Sequence, residues 1–168
     1  VWKRSLAEAE WSKANAKFIT TDEKNGGHWD FRKTIPENWP ISYRDLRFNL
    51  QLGGSKQIGV FPEQAAQWDR VSQIISYAGK PLRILNLFGY TGLASLSAAN
   101  AGADVTHVDA SRKAVSWGME NQKLSGNMSG KVRWLVDDAV KFVMREARRN
   151  SFYDGIIMDP PKFGRGPK

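Results

Sequence analysis

The sequence has no cysteine and only two histidines, His28 and His107. Disulfides and thiolate metal sites are excluded within these residues, and a zinc site has almost no ligands to draw on. No apolar run approaches the ~20 residues that a membrane-spanning helix requires. The N-terminal Val1-Trp2-Lys3-Arg4 lacks the apolar core of a signal peptide. A cytoplasmic, metal-free protein is the default expectation. Acid is also in short supply: 17 Asp and Glu stand against 25 Lys and Arg, a formal net charge of +8. That balance favours a polyanionic partner, although Lys and Arg coating solvated faces give the same number. The charge tilts the expectation without deciding it. What is present, 41% hydrophobic and 25% charged residues in 168, is the mix of one globular domain.

Residues 1 to about 60 differ in character from the rest. Trp2, Trp11, Trp29 and Trp39 are spread along them, with turn formers at Asn25-Gly26-Gly27, Pro36-Glu37-Asn38 and Gly53-Gly54. Leu46 to Leu52 alternates apolar and polar, the period of a half-buried strand. The segment reads as a small, irregular and partly β lead-in, its tryptophans more often packing anchors than platforms for stacked bases. From Gly59 the pattern becomes regular. Pro62 suits a first helical position, Trp68, Val71, Ile75 and Ala78 recur at helical spacing, and Gly79 can end that helix. Short apolar strands at 83–88, 105–109, 132–136 and 154–158 then alternate with helices from about Thr91 to Ala101, closed by Gly102, from the cap Ser111 to about Leu124, and after Asp138. The last of these helices places Val140, Val143, Met144 and Ala147 on one apolar face.

Such alternation predicts an α/β fold, a doubly wound parallel sheet with right-handed crossovers, occupying residues 61–168. A complete sheet of this kind has about six strands. The chain therefore reads as part of a longer protein with its C-terminal strands missing. The strand at 154–158 is expected to show an unpaired edge and bare apolar surface.

Ligands of such sheets lie outside the carboxyl ends of the strands, so the residues there carry the chemistry. After the first strand comes Phe88-Gly89-Tyr90-Thr91-Gly92, then a helix. Glycines let backbone approach a ligand, and a helix N-terminus offers unpaired N–H groups. A structural turn reads the same way. Asp109 ends the second strand, where a carboxylate can accept from both hydroxyls of a ribose. The dinucleotide fingerprint G-x-G-x-x-G is absent; the spacing is G-x-x-G around the bulky Tyr90, which suits a nucleoside carrying a small zwitterion better than a pyrophosphate. Asp138, or Asp137, at the third strand end can accept from an adenine amino group while the next backbone N–H, that of Ala139, donates to the ring; either acid can equally cap the following helix. Asp159-Pro160-Pro161-Lys162-Phe163 closes the fourth strand. Two prolines there make a rigid shelf without donors, suited to a substrate amine or base edge.

Taken in order, Asn86 to Gly92, Val108-Asp109-Ala110-Ser111, Asp137-Asp138-Ala139 and Asp159 to Phe163 resemble the successive motifs of class I S-adenosylmethionine-dependent methyltransferases, a Rossmann-like fold. More narrowly they resemble the bacterial group related to the 23S ribosomal RNA cytosine-C5 methyltransferases, and Gly59-Val60-Phe61-Pro62-Glu63-Gln64 is similar to that group's segment ahead of the first strand. The resemblance covers roughly residues 40 to 168. It implies S-adenosyl-L-methionine as cofactor, its methionine part held by Phe88, Gly89, Tyr90, Thr91 and Gly92, its ribose by Asp109 with Ala110 and Ser111, and its adenine by Asp138 and Ala139. Asp159 would face the transferred methyl as the candidate catalytic residue, with Pro160, Lys162 and Phe163 toward the substrate, which would be ribosomal RNA.

Two departures stand out. Many members carry Asp where Asn86 stands, and the cytosine-C5 enzymes use a cysteine from a later motif that these residues do not contain. Two other readings compete. One keeps the cofactor and moves the methyl to an exocyclic amine or a small molecule; an aromatic directly after the prolines would favour it, but Lys162 stands there. The other is a non-catalytic nucleic-acid-binding module, with Arg145, Arg148, Arg149, Lys162, Arg165 and Lys168 against phosphates. The terminal Phe163 to Lys168 reads equally as a substrate lid or an exposed loop.

Overall fold

Regular alternation of apolar strands and helices from Val60 onward becomes a single parallel sheet in the structure, a computed structural model that describes residues 5–21, 27–54 and 56–161. Lys162 and Phe163, with residues 164–168 that follow them, lie outside the described residues. The chain clusters into two units, one of residues up to Pro40 with Asn49–Gly59, the other of Ile41–Phe48 with everything from Val60.

The first unit holds a short helix, α1 (Glu8–Trp11), and the strands β1 (Ala16–Thr20) and β2 (Gly27–Phe31), which pair antiparallel from Ala16↔Phe31 to Thr20↔Gly27. Phe18 meets Trp29 edge to face at 5.3 Å, so this tryptophan serves packing. The division runs through the next pair of strands, β3 (Asn38–Tyr43) and β4 (Leu46–Gln51). The sequence suggested a boundary near residue 60, yet Ile41–Phe48 clusters with the sheet. The reason is local bonding: Arg44 grips Asp69 through Nε and Nη2 at 2.7 and 2.6 Å, and Ser125 Oγ both accepts from Arg47 N–H and donates to its carbonyl. Leu46 and Phe48 are buried.

In the second unit a 3₁₀ turn at Pro62–Gln64 leads into α2 (Ala65–Tyr77). There follow β5 (Arg83–Leu87), α3 (Leu93–Asn100), β6 (Asp104–Asp109), α4 (Arg112–Ser125), β7 (Lys131–Val136), α5 (Ala139–Arg148) and β8 (Gly155–Met158). The sheet order is β7-β6-β5-β8, all parallel. The chain winds outward from β5 to β7 and returns to lay β8 on the other side of β5. The topological switch point therefore lies between β5 and β8, where such folds open a crevice for ligands. Alternate residues sort to the two faces. Ile84, Val105, Val132 and Ile157 pack with Ile75, Ala98 and Ala99 of α2 and α3 on one face; Leu85, Leu87, Val108 and Leu135 pack with Ala139 and Phe142 of α5 on the other.

The local punctuation read from sequence is as expected. Ser111 Oγ accepts from Ala114 N–H to cap α4, and Gly79 and Gly102 follow their helices at φ 67° and 104°. β8 pairs only with β5 among the described residues, so its outer edge is free. Ile156 and Met158, register partners of Leu85 and Leu87, are 64% and 60% exposed, the bare apolar surface anticipated there.

The apolar face read along α5 is not the one that packs. Val140, Val143 and Met144 are 64%, 40% and 60% exposed, whereas Ala139, Phe142 and Glu146 are buried. A carboxylate holds a buried position because it is satisfied: the Tyr153 hydroxyl donates to Glu146 Oε2 at 2.8 Å and Arg149 to Oε1 at 3.3 Å.

Candidate active site

At the carboxyl end of β5 the backbone turns through three residues of positive φ: Phe88 at 57°, Tyr90 at 50° and Gly92 at 84°. Non-glycine residues held there cost of order 1–3 kcal/mol each, and persist only where surroundings enforce them. The enforcement is visible. Gly89 N–H donates to Val108 O at 3.2 Å, Tyr90 N–H to Asp109 Oδ2 at 2.9 Å, and Gly92 N–H to Gly89 O at 2.9 Å. Beneath the turn, a Cβ on Gly89 would run into the His107 ring, and one on Gly92 into the Trp134 ring. Gly118, within α4, meets the same edge of the indole. The glycines thus bring the turn down onto the protein's own rings as well as opening it above. Thr91, expected among the cofactor residues, is 1% exposed, and Gly92 is buried. These two shape the turn from within rather than line its surface; the Thr91 carbonyl accepts from Asn121 Nδ2 at 3.1 Å.

Asp109 sits half-buried at the end of β6, its two oxygens accepting from Tyr90 N–H at 2.9 Å and Ser111 N–H at 2.8 Å. A carboxylate has about four lone-pair sites, so two have no partner among the described residues. The acid and the glycine turn meet directly on adjacent strands, with the exposed Ala110 beside them. At the end of β7, Asp137 N–H bonds Asp109 O at 3.0 Å. The side chain of Asp137 is committed to the Asp138 amide and to Arg145. Asp138 caps α5 through Oδ1, accepting from Lys141 N–H at 2.9 Å, and its Oδ2 has no partner among the described residues. Ala139 is buried behind it.

Asp159, Pro160 and Pro161 are exposed at the end of β8, across the switch point from the turn. Gln64 Nε2 donates to Asp159 Oδ2 at 3.1 Å. From the same short segment, the Phe61 ring lies 5.5 Å from that of Tyr90, which lies 6.3 Å from Trp117. The sequence marks Pro62 as a helix start and residues 59–64 as part of a resemblance, but gives Gln64 no role. It also passes over His107, Trp134 and Asn121. A glycine inside a helix, Gly118, was the one available signal of close packing there.

His107 and Asn86 belong to a buried polar chain under the turn. Asn86 Nδ2 donates to Ser95 Oγ at 2.8 Å, and Ser95 Oγ lies 3.0 Å from His107 Nδ1. His107 Nε2 is buried without a polar partner among the described residues, and Trp134 covers the ring at 4.4 Å. Burial accordingly pushes the imidazole from its usual 6.5 down to about 4. The unfolded chain binds this proton from about pH 6.5 and the folded chain only near 4. Stability is therefore unaffected by this group above pH 6.5 and falls as pH drops through that window, by about 3 kcal/mol in all. Urea unfolding at pH 7 and 4.5 is expected to show this loss, and His107→Asn to show a flatter acid dependence; equal slopes would exclude the assignment.

The ends of β5, β6 and β7 thus present, side by side at the carboxyl edge of the sheet, a tight turn, an acid with two acceptor sites unfilled among the described residues and a second acid with an uncommitted oxygen. The acceptor set fits a nucleoside, a diol at Asp109 and an amine-bearing base near Asp138. Comparison with known proteins agrees. The model of the S-adenosylmethionine-dependent methyltransferase family matches residues 23–168, and the chain belongs to that family. The chain is 32% identical over 157 residues to the ribosomal RNA large subunit methyltransferase K/L of Shewanella baltica, covering 92% of this chain and 21% of that protein. It is 31% identical over 129 residues to the ribosomal RNA large subunit methyltransferase I of Klebsiella pneumoniae, covering 76% of this chain and 31% of that one. The crystal structure of a SAM-dependent methyltransferase from Agrobacterium tumefaciens matches at TM-score 0.89 and 46% identity, over 99% of this chain and 53% of that one. The chain spans about a fifth to a third of the first two proteins' lengths and about half of the third. The Rossmann-like fold and the S-adenosylmethionine cofactor expected from the motifs both stand.

Proposed function

We propose that this chain carries the cofactor-binding part of an enzyme that methylates a base in large-subunit ribosomal RNA, of the cytosine-C5 type. Phe88 to Gly92 would hold the methionine end of S-adenosylmethionine, Asp109 with Ala110 and Ser111 the ribose, and Asp138 with Ala139 the adenine. Asp159 would face the acceptor beside Pro160, with Lys162 and Phe163 following. The cofactor would supply a methyl group on a sulfonium, and these residues would align it with the acceptor, good alignment being worth effective molarities on the order of 10⁵ M or more. Activating cytosine C5 would in addition need the cysteine nucleophile that these residues do not contain. The observation that carries the reading is the Asp109 carboxylate, which accepts from the Tyr90 amide and keeps two acceptor sites open at the turn. The named relatives support ribosomal RNA as the acceptor, and the net charge of +8 suits a polyanion. A ribosomal substrate implies a cytoplasmic reaction.

The test is methyl transfer from labelled S-adenosylmethionine to unmodified ribosomal RNA by the intact protein, followed by nucleoside analysis. Label in large-subunit RNA, recovered as 5-methylcytidine, is the expected result. Label in another nucleoside would leave the RNA assignment and remove the cytosine-C5 one; no label in RNA would remove both.

A further inference from the structure

The geometry points to Gln64 as a residue that reads the acceptor base, forming with Asp159 a composite edge selective for a base bearing an exocyclic amine. Gln64 lies at the entrance to α2, ninety-five positions before Asp159 in the chain, yet its amide donates to Asp159 Oδ2 at 3.1 Å. Its backbone is fixed as well, with Gln64 N–H bonded to Phe61 O at 3.0 Å and the Phe61 ring against Tyr90. One short segment thus touches both the cofactor turn and the acid at the end of β8.

The functional groups left over decide what this edge can bind. An amide nitrogen has two hydrogens and an amide oxygen two lone pairs. With one hydrogen given to Asp159, Gln64 retains one N–H and its Oε1, while Asp159 retains Oδ1; no described residue bonds any of these. The pair therefore offers more acceptors than donors. Cytosine, adenine and guanine match it, each presenting an amine with two hydrogens beside an unprotonated ring nitrogen. Uracil presents a carbonyl in place of the amine, which would set oxygen against carboxylate. A bidentate polar match of this kind discriminates between bases by about tenfold or more.

The inference rests on the proposed RNA methylation for its substrate class, but its binding test does not. The intact protein, saturated with S-adenosylhomocysteine, is titrated with short oligoribonucleotides that differ at one position. Wild type is expected to bind the cytidine and adenosine forms about tenfold more tightly than the uridine form, and Gln64→Leu to lose that preference. Gln64→Leu is also expected to lower kcat/KM for RNA about tenfold while the Kd for S-adenosylhomocysteine stays within about twofold. A wild type without preference, a preference that survives in Gln64→Leu, or a matching loss of cofactor affinity would each overturn the assignment. If the preference is found and disappears in the variant, but no methyl reaches ribosomal RNA, the proposed activity fails and the role of Gln64 stands. If methyl transfer occurs without any preference, the outcome is the reverse.

Discussion

Asp109→Ala is expected to weaken S-adenosylmethionine binding by about 100-fold or more, since hydrogen bonds to a charged group are worth about 1.5–3 kcal/mol each and a ribose diol makes two. The loss has a second source. The same carboxylate accepts from Tyr90 and Ser111 N–H groups, so its removal takes away an anchor of a turn that already holds Phe88 and Tyr90 at positive φ. Asp109→Asn is expected to fall between, at about tenfold, because the amide keeps one acceptor but turns a donor toward one of those N–H groups. Isothermal titration of the three proteins measures the effect, with thermal unfolding as a check that each is folded. Equal affinities would remove Asp109 from the site.

The second large effect concerns stability. Gly92→Ala places a methyl inside the Trp134 ring at a residue whose φ is 84°. Overpacking costs about 1–3 kcal/mol and the left-handed conformation about 1–2 for a residue with a Cβ, so a loss of about 3 kcal/mol is expected in urea unfolding. Two contributions can be separated with Trp134→Leu. That change is itself destabilising, because it opens a void and removes the 2.7 Å bond from Trp134 Nε1 to Gln122. It also makes room for the methyl. The double variant should therefore be more stable than the sum of the single losses predicts, with only the backbone strain left uncompensated. Simple additivity would mean that the indole does not oppose the methyl.

These two predictions mark what was and was not legible in the sequence. The placement of Asp109 could be read because it follows from position: the end of a strand, beside a glycine turn, in a parallel sheet. Pro62, Ser111, Gly79 and Gly102 were legible for a similar reason, since each satisfies a local backbone need. Trp134 and His107 were not. Their function comes from lying under glycines on neighbouring elements, and no spacing within their own strands signals that. Gln64 was hidden by distance along the chain. α5 misled because periodicity separates two stripes but does not say which one the sheet covers; the stripe it covers includes a carboxylate, Glu146, whose burial only Tyr153 and Arg149 make tolerable. The bare stripe of α5 and the open edge of β8 show the same limit, since pattern identifies an apolar surface without naming its neighbour.

The most direct test of the account is a crystal structure of the protein with S-adenosylhomocysteine. Both sugar hydroxyls should lie within about 3 Å of the Asp109 oxygens, with the amino-acid end over residues 88–92 and the adenine beside Asp138. A ligand seated elsewhere, or one whose sugar leaves Asp109 to the backbone amides alone, would contradict it.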